Sequence, residues 1–133
     1  MPDHLNKNHR ASLFWGGLRL SELTNETECA ADIVCIDLED SVPLDLKQDG
    51  RLALKQFLQT YKPTKSAQYM VRINSLDSED GQSDLAMLVN EPAFISILLI
   101  PKLESVEELI QVGHFLEEKN SQMNLFGIFE TAK

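Results

Sequence analysis

Five short and mostly apolar segments recur along this chain of 133 residues, and they restrict its fold more than any other feature. They cover residues 11–14, 32–37, 68–74, 94–100 and 124–129. A strand with one face in water alternates apolar and polar residues, whereas these segments are apolar almost throughout. That pattern is typical of strands that are buried on both faces of a parallel sheet.

Helical patterns separate these segments. Apolar residues recur with a helical period over residues 46–61 and again over residues 106–116. Ser105 and Glu108 have the spacing of a capping box at the start of the second helix. Strands that alternate with helices run parallel, so the sequence predicts a single α/β domain without an internal linker. Two serines are predicted N-caps of shorter helices, Ser21 and Ser83.

The charge balance narrows the classes of partner. The chain has 12 Lys and Arg residues against 21 Asp and Glu residues, a net charge of -9. This acidity, without a basic cluster, argues against binding to nucleic acid or to an anionic membrane surface. No apolar run approaches the roughly 20 residues of a membrane span, and residues 1–10 form a polar tail without a secretion signal. We therefore expect a cytoplasmic protein.

Ionisable side chains, and one amide, lie at the ends of four of the predicted strands. Ligands of α/β proteins bind at the carboxyl ends of the strands, and buried charges are costly unless they pair or hold a ligand. Several acids around one arginine are typical of a site for a metal ion together with an anionic ligand. The residues are Asp37, Glu39 and Asp40 at the end of the second strand, Arg72 and Asn74 at the end of the third, Lys102 and Glu104 at the end of the fourth, and Glu130 at the end of the fifth.

Simpler interpretations of these residues stay open. Arg72 could neutralise Glu39 or Asp40 in a purely structural ion pair. Lys102 and Glu104 precede the capping box, and we expect them to organise that loop rather than to take part in chemistry. Phosphate-binding motifs of the GxGxxG and GxxxxGK[ST] types do not occur in the sequence.

Five motifs, in a fixed order, connect these strand ends to a known family. Together they resemble the HpcH/HpaI aldolases, in particular the CitE-like branch that includes the citrate lyase β-subunit and malyl-CoA lyase. The resemblance extends from about Arg10 to the last residue. The motifs are ADxVxxDLEDxV over residues 31–42, with Pro43 directly after it, KxxAR at Lys47 with Gly50 and Arg51, RxN at residues 72–74, PKxES at residues 101–105 and xET at residues 129–131.

The resemblance implies a carbon–carbon lyase. Its substrate would be a β-hydroxyacyl thioester, namely a citryl, malyl or citramalyl ester of CoA or of a carrier protein. The products would be a short acyl thioester and an α-keto acid, with Mg²⁺ as the cofactor. Arg72 would bind the substrate carbonyl and steady the enolate, and Glu130 would be a carboxylate ligand of the Mg²⁺ ion.

Further residues acquire roles by the same resemblance. Glu39 and Asp40 would contact the ligands of the metal ion rather than the metal ion itself. Phe14 and Arg19 would contact the CoA or carrier arm. At the end of the first strand the pair of residues 16–17 is Gly-Gly where the family usually has Pro-Gly, so this last correspondence is the loosest.

The resemblance also implies a (β/α)₈ barrel, a fold that takes roughly 250 residues. Five strands are recognisable here, so we expect a partial barrel over residues 11–133 that follows the polar tail of residues 1–10. The second metal carboxylate of such enzymes follows the sixth strand, which this sequence does not supply. We expect an incomplete, weakly active or inactive lyase that forms a homo-oligomer or needs a completing chain. The alternative is a non-catalytic half-barrel that serves in assembly or interaction.

Overall fold

The structure, a computed structural model, describes residues 12–64, 66–90 and 94–129. Within these residues five strands form one sheet, and every neighbouring pair is parallel. The order of the strands in the sheet follows their order in the sequence, as it does among consecutive strands of a (β/α)₈ barrel. The α/β prediction is therefore confirmed. The strands are β1 (Ser12–Gly16), β2 (Ile33–Asp37), β3 (Gln68–Arg72), β4 (Ile95–Leu103) and β5 (Asn124–Phe129).

In the described parts of the chain, four helices connect the strands, and short 3₁₀ segments precede two of them. The capping box at the last helix is present, because the Ser105 side chain accepts the Glu108 N–H and the Glu108 side chain accepts the Ser105 N–H. The helices are α1 (Asn25–Glu28), α2 (Lys47–Thr60), α3 (Glu79–Asn90) and α4 (Val106–Glu118), and the 3₁₀ segments are Gly17–Glu22 and Leu44–Leu46.

The other two predicted N-caps are wrong. Ser21 lies inside the first 3₁₀ segment, and α1 is capped instead by Thr24, whose side chain accepts the Thr27 N–H. Ser83 lies in the second turn of α3, because the helix begins four residues earlier. There the Ser78 hydroxyl accepts the Gly81 N–H, which is the bond that an N-cap serine makes.

One face of the sheet forms the hydrophobic core with the helices. Val34, Val71 and Leu98 are completely buried, and Leu54 and Phe57 of α2 pack into the same cluster. Transfer of such side chains out of water contributes roughly 1.5–3 kcal/mol each, so burial of this layer is the main favourable term in folding.

The opposite face of the sheet lies outside that cluster. The register of the strands places Phe14, Cys35, Met70 and Ile97 in one row across it. Phe14 on β1 is 58% exposed and Phe126 on β5 is 54% exposed, so the two outer strands leave apolar surface open. A closed barrel encloses this face.

A buried carboxylate joins the elements at the amino ends of the strands. Glu28 is completely buried and accepts hydrogen bonds from the hydroxyls of Tyr61, Thr64 and Tyr69 and from the Thr64 N–H. Burial opposes its ionisation, but these donors lower the pKa of Glu28 below its usual range. This cluster holds α1 against β3 and the segment that follows α2, far from the carboxyl ends of the strands.

Within the described residues, no helix combines the length and apolar character that a membrane crossing requires.

Candidate functional site

The site is built around an arginine–aspartate pair at the carboxyl ends of β2 and β3. Asp37 and Arg72 are the last residues of their strands and lie opposite each other in the parallel register. The Nε of Arg72 donates to Asp37 Oδ1 over 2.9 Å, and its Nη2 donates to Oδ2 over 2.8 Å. Two parallel bonds of this kind fix the plane of the guanidinium as well as its position.

Asp37 is held by the backbone as well as by the arginine. Its two carboxylate oxygens accept the N–H groups of Glu39, over 2.9 Å, and of Ser41, over 3.0 Å. Burial alone would raise the pKa of Asp37, but the hydrogen bonds from Arg72 and from these N–H groups hold it below its usual range. Asp37 in turn raises the pKa of Arg72, so both groups are ionised at neutral pH.

Glu39 and Asp40 lie further from the guanidinium than Asp37 does. Glu39 Oε1 is 3.4 Å from Arg72 Nε, and the exposed Asp40 carboxylate is 3.8 Å from Nη2. The structural ion pair that the sequence suggested between Arg72 and Glu39 or Asp40 thus has a different main partner, Asp37. The reason is the register, since Asp37 faces Arg72 directly across the ladder. Within the described residues no hydrogen bond engages Nη1 of Arg72.

Two lysines also reach this cluster. The Lys102 ammonium lies 3.4 Å from Glu39 Oε2, so it joins the ionic cluster. Lys47, at the start of α2, donates to the main-chain carbonyls of Leu38 and Glu39. This contact explains the lysine of the KxxAR motif, which the sequence did not place in the site.

The loop after β3 is anchored by a second buried acid. Asp84 of α3 is completely buried and accepts both the main-chain N–H of Asn74, over 2.8 Å, and its side-chain amide, over 2.7 Å. Arg51 of α2 donates to the other oxygen of Asp84 over 3.0 Å. The arginine of KxxAR and the asparagine of RxN therefore meet at Asp84, a residue that no motif in the sequence singled out.

A cavity of about 440 Å³ opens beside the arginine cluster, between the loops that follow β2 and β3. Its size is within the range of pockets that take small organic ligands. Both lysines contribute to its wall, as do Glu39 and Asp40 of the three acids in the cluster, together with amide and hydroxyl groups. The polar lining residues are Glu39, Asp40, Lys47, Asn74, Ser75, Ser78, Asp80 and Lys102.

The remaining predicted site residues are placed as follows. Phe14 lies near the cluster, with its ring centre 5.9 Å from the guanidinium carbon of Arg72. Arg19 pairs instead with Glu22 over 2.9 Å, and its guanidinium lies over the ring of Trp15. Glu130, the predicted metal ligand, lies outside the described residues.

The described residues do not by themselves fit a magnesium ion. Among them, no group of three or more His, Cys, Asp or Glu side chains is arranged to hold a metal. Asp37 uses its oxygens for Arg72 and two N–H groups, and Glu39 lies between two cationic side chains. A magnesium ion here would have to draw on carboxylates beyond these, Glu130 being the predicted one.

The chain is a segment of an α/β protein with parallel strands. An arginine, its aspartate partner and a polar cavity lie near the carboxyl ends of these strands, where proteins of this class usually bind their ligands, so this is the candidate site. Comparison with known proteins identifies the family. The profile of the HpcH/HpaI aldolase/citrate lyase family matches residues 10–126, and the chain belongs to that family.

Two curated relatives illustrate the similarity. The chain is 34% identical over 112 residues to the citrate lyase subunit beta of Haemophilus influenzae, a match that covers 84% of this chain and 38% of that protein. It is 30% identical over 123 residues to the (3S)-malyl-CoA thioesterase of Cereibacter sphaeroides, covering 92% of this chain and 41% of the relative. The chain thus spans about two fifths of the length of these relatives.

Solved structures of a Mycobacterium tuberculosis protein share the fold. One is the citrate lyase beta subunit complexed with oxaloacetate and magnesium, with a TM-score of 0.67 and 26% identity over 91% of this chain and 47% of the other. Another is CitE in complex with magnesium, acetoacetate and coenzyme A, with a TM-score of 0.67 and 26% identity over 92% of this chain and 40% of the other. Because each match covers less than half of the solved chain, the five strands here correspond to part of a barrel.

Proposed function

We propose that this chain forms part of the active site of a Mg²⁺-dependent carbon–carbon lyase of the citrate lyase β-subunit type. The substrate would be a citryl, malyl or citramalyl thioester of CoA or of a carrier protein, cleaved to an acyl thioester and an α-keto acid. The observation that carries the proposal is the guanidinium of Arg72, which Asp37 holds in a fixed orientation. It lies beside Glu39 and Asp40, two acids that line the polar cavity. Family membership supports it.

Arg72 suits the task of stabilising an enolate. When the carbon–carbon bond breaks, its electron pair moves onto the acyl fragment and places negative charge on the thioester oxygen. Asp37 and Glu39 engage Nε and Nη2 of the guanidinium, and Nη1 can therefore donate to that oxygen. A donor that is oriented before the reaction needs no reorganisation as the charge grows. The raised pKa of Arg72 keeps it protonated throughout.

The cofactor and the substrate arm are proposed from the relatives. Magnesium and coenzyme A are present in the mycobacterial structures, and Glu130 is the ligand we propose for the metal. Bound Mg²⁺ would supply a Lewis acid for the keto acid product. Phe14, beside Arg72, and Arg19, on the segment after β1, are proposed contacts of the CoA or carrier arm. Glu39 and Asp40 are proposed to balance the charge around Arg72.

The open sheet bears on the quaternary state. Strands β1 and β5 each pair on one side only within the described residues, and both expose aromatic side chains. Unpaired strand edges and apolar patches of this kind favour association. We therefore propose that the barrel segment, assigned to residues 11–133 after a tail of residues 1–10, associates with a second copy or a completing chain. The alternative function, a non-catalytic half-barrel used in assembly, rests on the same surface.

A completed barrel separates these functions. Residues 12–129 would replace the matching segment of the Haemophilus influenzae citrate lyase subunit beta, and the purified chimaera would be incubated with Mg²⁺ and each of the three CoA thioesters. We expect release of an α-keto acid without free CoA thiol. Free thiol without keto acid would indicate a thioesterase, as in the Cereibacter relative. A folded chimaera that releases neither product would favour the assembly role.

A further inference from the structure

The strand that carries Lys102 is irregular at that residue. Along β4, Leu98 and Ile100 face the core as alternate residues of a strand should, but the next core residue is Leu103 rather than the residue at position 102. The register against β5 shifts between Ile100 and Leu103. Lys102 has a φ of 58°, in the left-handed region that side chains with a β-carbon rarely adopt. The irregularity turns Lys102 away from the core.

The redirected lysine meets an acid that also contacts the arginine. The Glu39 side chain is only 8% exposed, and its Oε1 and Oε2 lie 3.4 Å from Arg72 Nε and 3.4 Å from Lys102 Nζ, respectively. Glu39 Oε2 is buried and makes no hydrogen bond to any other residue that the structure describes. Bulges next to ligand sites commonly serve to aim one side chain, and backbone strain persists where the surroundings require it. Glu39 therefore links a strained lysine to the central guanidinium.

The charges explain why such a link is useful. Glu39 and Asp37 both approach Nε of Arg72, but only Asp37 makes the two-bond contact that orients the guanidinium. Without a second cation, the whole charge of Glu39 would attract Arg72 and compete with that contact. We propose that Lys102 is a positioning residue that draws Glu39 toward itself and so keeps Arg72 aligned with Asp37. The consequence for substrate binding rests on the proposed function, but the effect on Arg72 does not.

The arginine resonances report this alignment directly. The sequence has four arginines, so a spectrum of the ¹⁵N-arginine-labelled chain contains few Nε–Hε signals, and Arg72→Lys identifies the one from Arg72. The variants are Lys102→Met, Lys102→Arg, Glu39→Gln and the Lys102→Met/Glu39→Gln double variant. Met and Arg keep a β-carbon, so the strained backbone is common to all of them. Lys62→Met, at an exposed lysine near the opposite end of the strands, is the matched control.

We expect Lys102→Met to shift the Arg72 signal and to quicken exchange of its Hε with solvent by about fivefold, a size typical of residues in one ion-pair network. Lys102→Arg and Lys62→Met should leave the signal in place. In the Glu39→Gln background, Lys102→Met should have no further effect. An unchanged Arg72 signal in Lys102→Met would overturn the proposal. So would a change of the same size when Lys102→Met is made in the Glu39→Gln background. The second result would mean that Lys102 acts on Arg72 without Glu39. Neither readout depends on lyase turnover, so the proposed function can fail independently.

Discussion

Replacing Asp37 by asparagine tests the structural centre of the site. Asn keeps the shape of the side chain, but it removes the negative charge and turns one acceptor oxygen into a donor. In either orientation that amide would face two donors, Arg72 together with the main-chain N–H of Glu39 or of Ser41. Because the Asp37 side chain is 6% exposed and that of Arg72 is 20% exposed, water can compensate only in part.

We expect Asp37→Asn to lower the free energy of unfolding by about 2–4 kcal/mol. This is less than the largest losses seen when a fully buried ion pair is broken, because Arg72 is partly exposed to solvent. Urea denaturation of the two proteins at pH 7 measures it. The control is Asp45→Asn, at an exposed acid in the second 3₁₀ segment, for which we expect a change below about 0.5 kcal/mol. If the two substitutions destabilised the protein equally, the Asp37–Arg72 pair would not stabilise the fold.

The same variant should change the pH dependence. Since the pKa of Asp37 is lowered in the folded chain, its contribution to stability is complete above its ordinary value of 3.8 and is lost as the pH falls through the lower folded value. The difference in the free energy of unfolding between wild type and Asp37→Asn should therefore be constant from pH 7 to about pH 5 and should shrink below pH 4. A difference that grew on acidification would contradict the assignment of the charge.

Three further predictions concern other parts of the chain. Gly81→Ala should destabilise the fold by about 2 kcal/mol or more in urea denaturation, because the new β-carbon would overlap the Ser75 carbonyl oxygen. The control is Gly113→Ala, whose β-carbon would lie 3.7 Å from its nearest neighbour, and it should be neutral or stabilising by up to about 1 kcal/mol. Glu28→Gln should lower the free energy of unfolding at pH 7 by about 2 kcal/mol. The effect should be smaller below pH 4, because the pKa of Glu28 is lowered in the folded chain and the wild type therefore loses stability as this carboxylate is protonated. Equal losses at pH 7 and below pH 4 would contradict this prediction. Calorimetric titration of this chain with Mg²⁺ should show affinity no tighter than about millimolar, and a micromolar site abolished by Glu130→Gln would show that the metal site is already complete.

Much of the fold could be predicted from local patterns. The apolar segments identify the strands, and residues 124–129 form a strand with the predicted limits. The expected burial on both faces does not hold for this outer strand, because Phe126, Ile128 and Phe129 are exposed within the described residues. The Ser105–Glu108 box identifies a helix start because both of its hydrogen bonds are local. Ser21 and Ser83 show the limit of that approach, since the actual caps, Thr24 and Ser78, are equally good candidates by residue type.

The composition of the site could be predicted, but not its pairing. That charges gather at the strand ends follows from the α/β topology. That Arg72 pairs with Asp37 depends on the register between β2 and β3, and the position of Lys102 depends on an irregularity in β4. Asp84 reaches Asn74 and Arg51 only through tertiary packing. None of these relations leaves a local pattern in the sequence.

The central claim is that the guanidinium of Arg72 stabilises the charge that develops on the substrate. Its most direct test is the rate of thioester cleavage by the chimaeric barrel with and without Arg72→Lys. Lysine keeps the positive charge but loses the planar set of donors, so we expect kcat/KM to fall by about 10²-fold or more while the free energy of unfolding changes by only about 1 kcal/mol. A lysine variant that kept most of the activity would contradict the role assigned to Arg72.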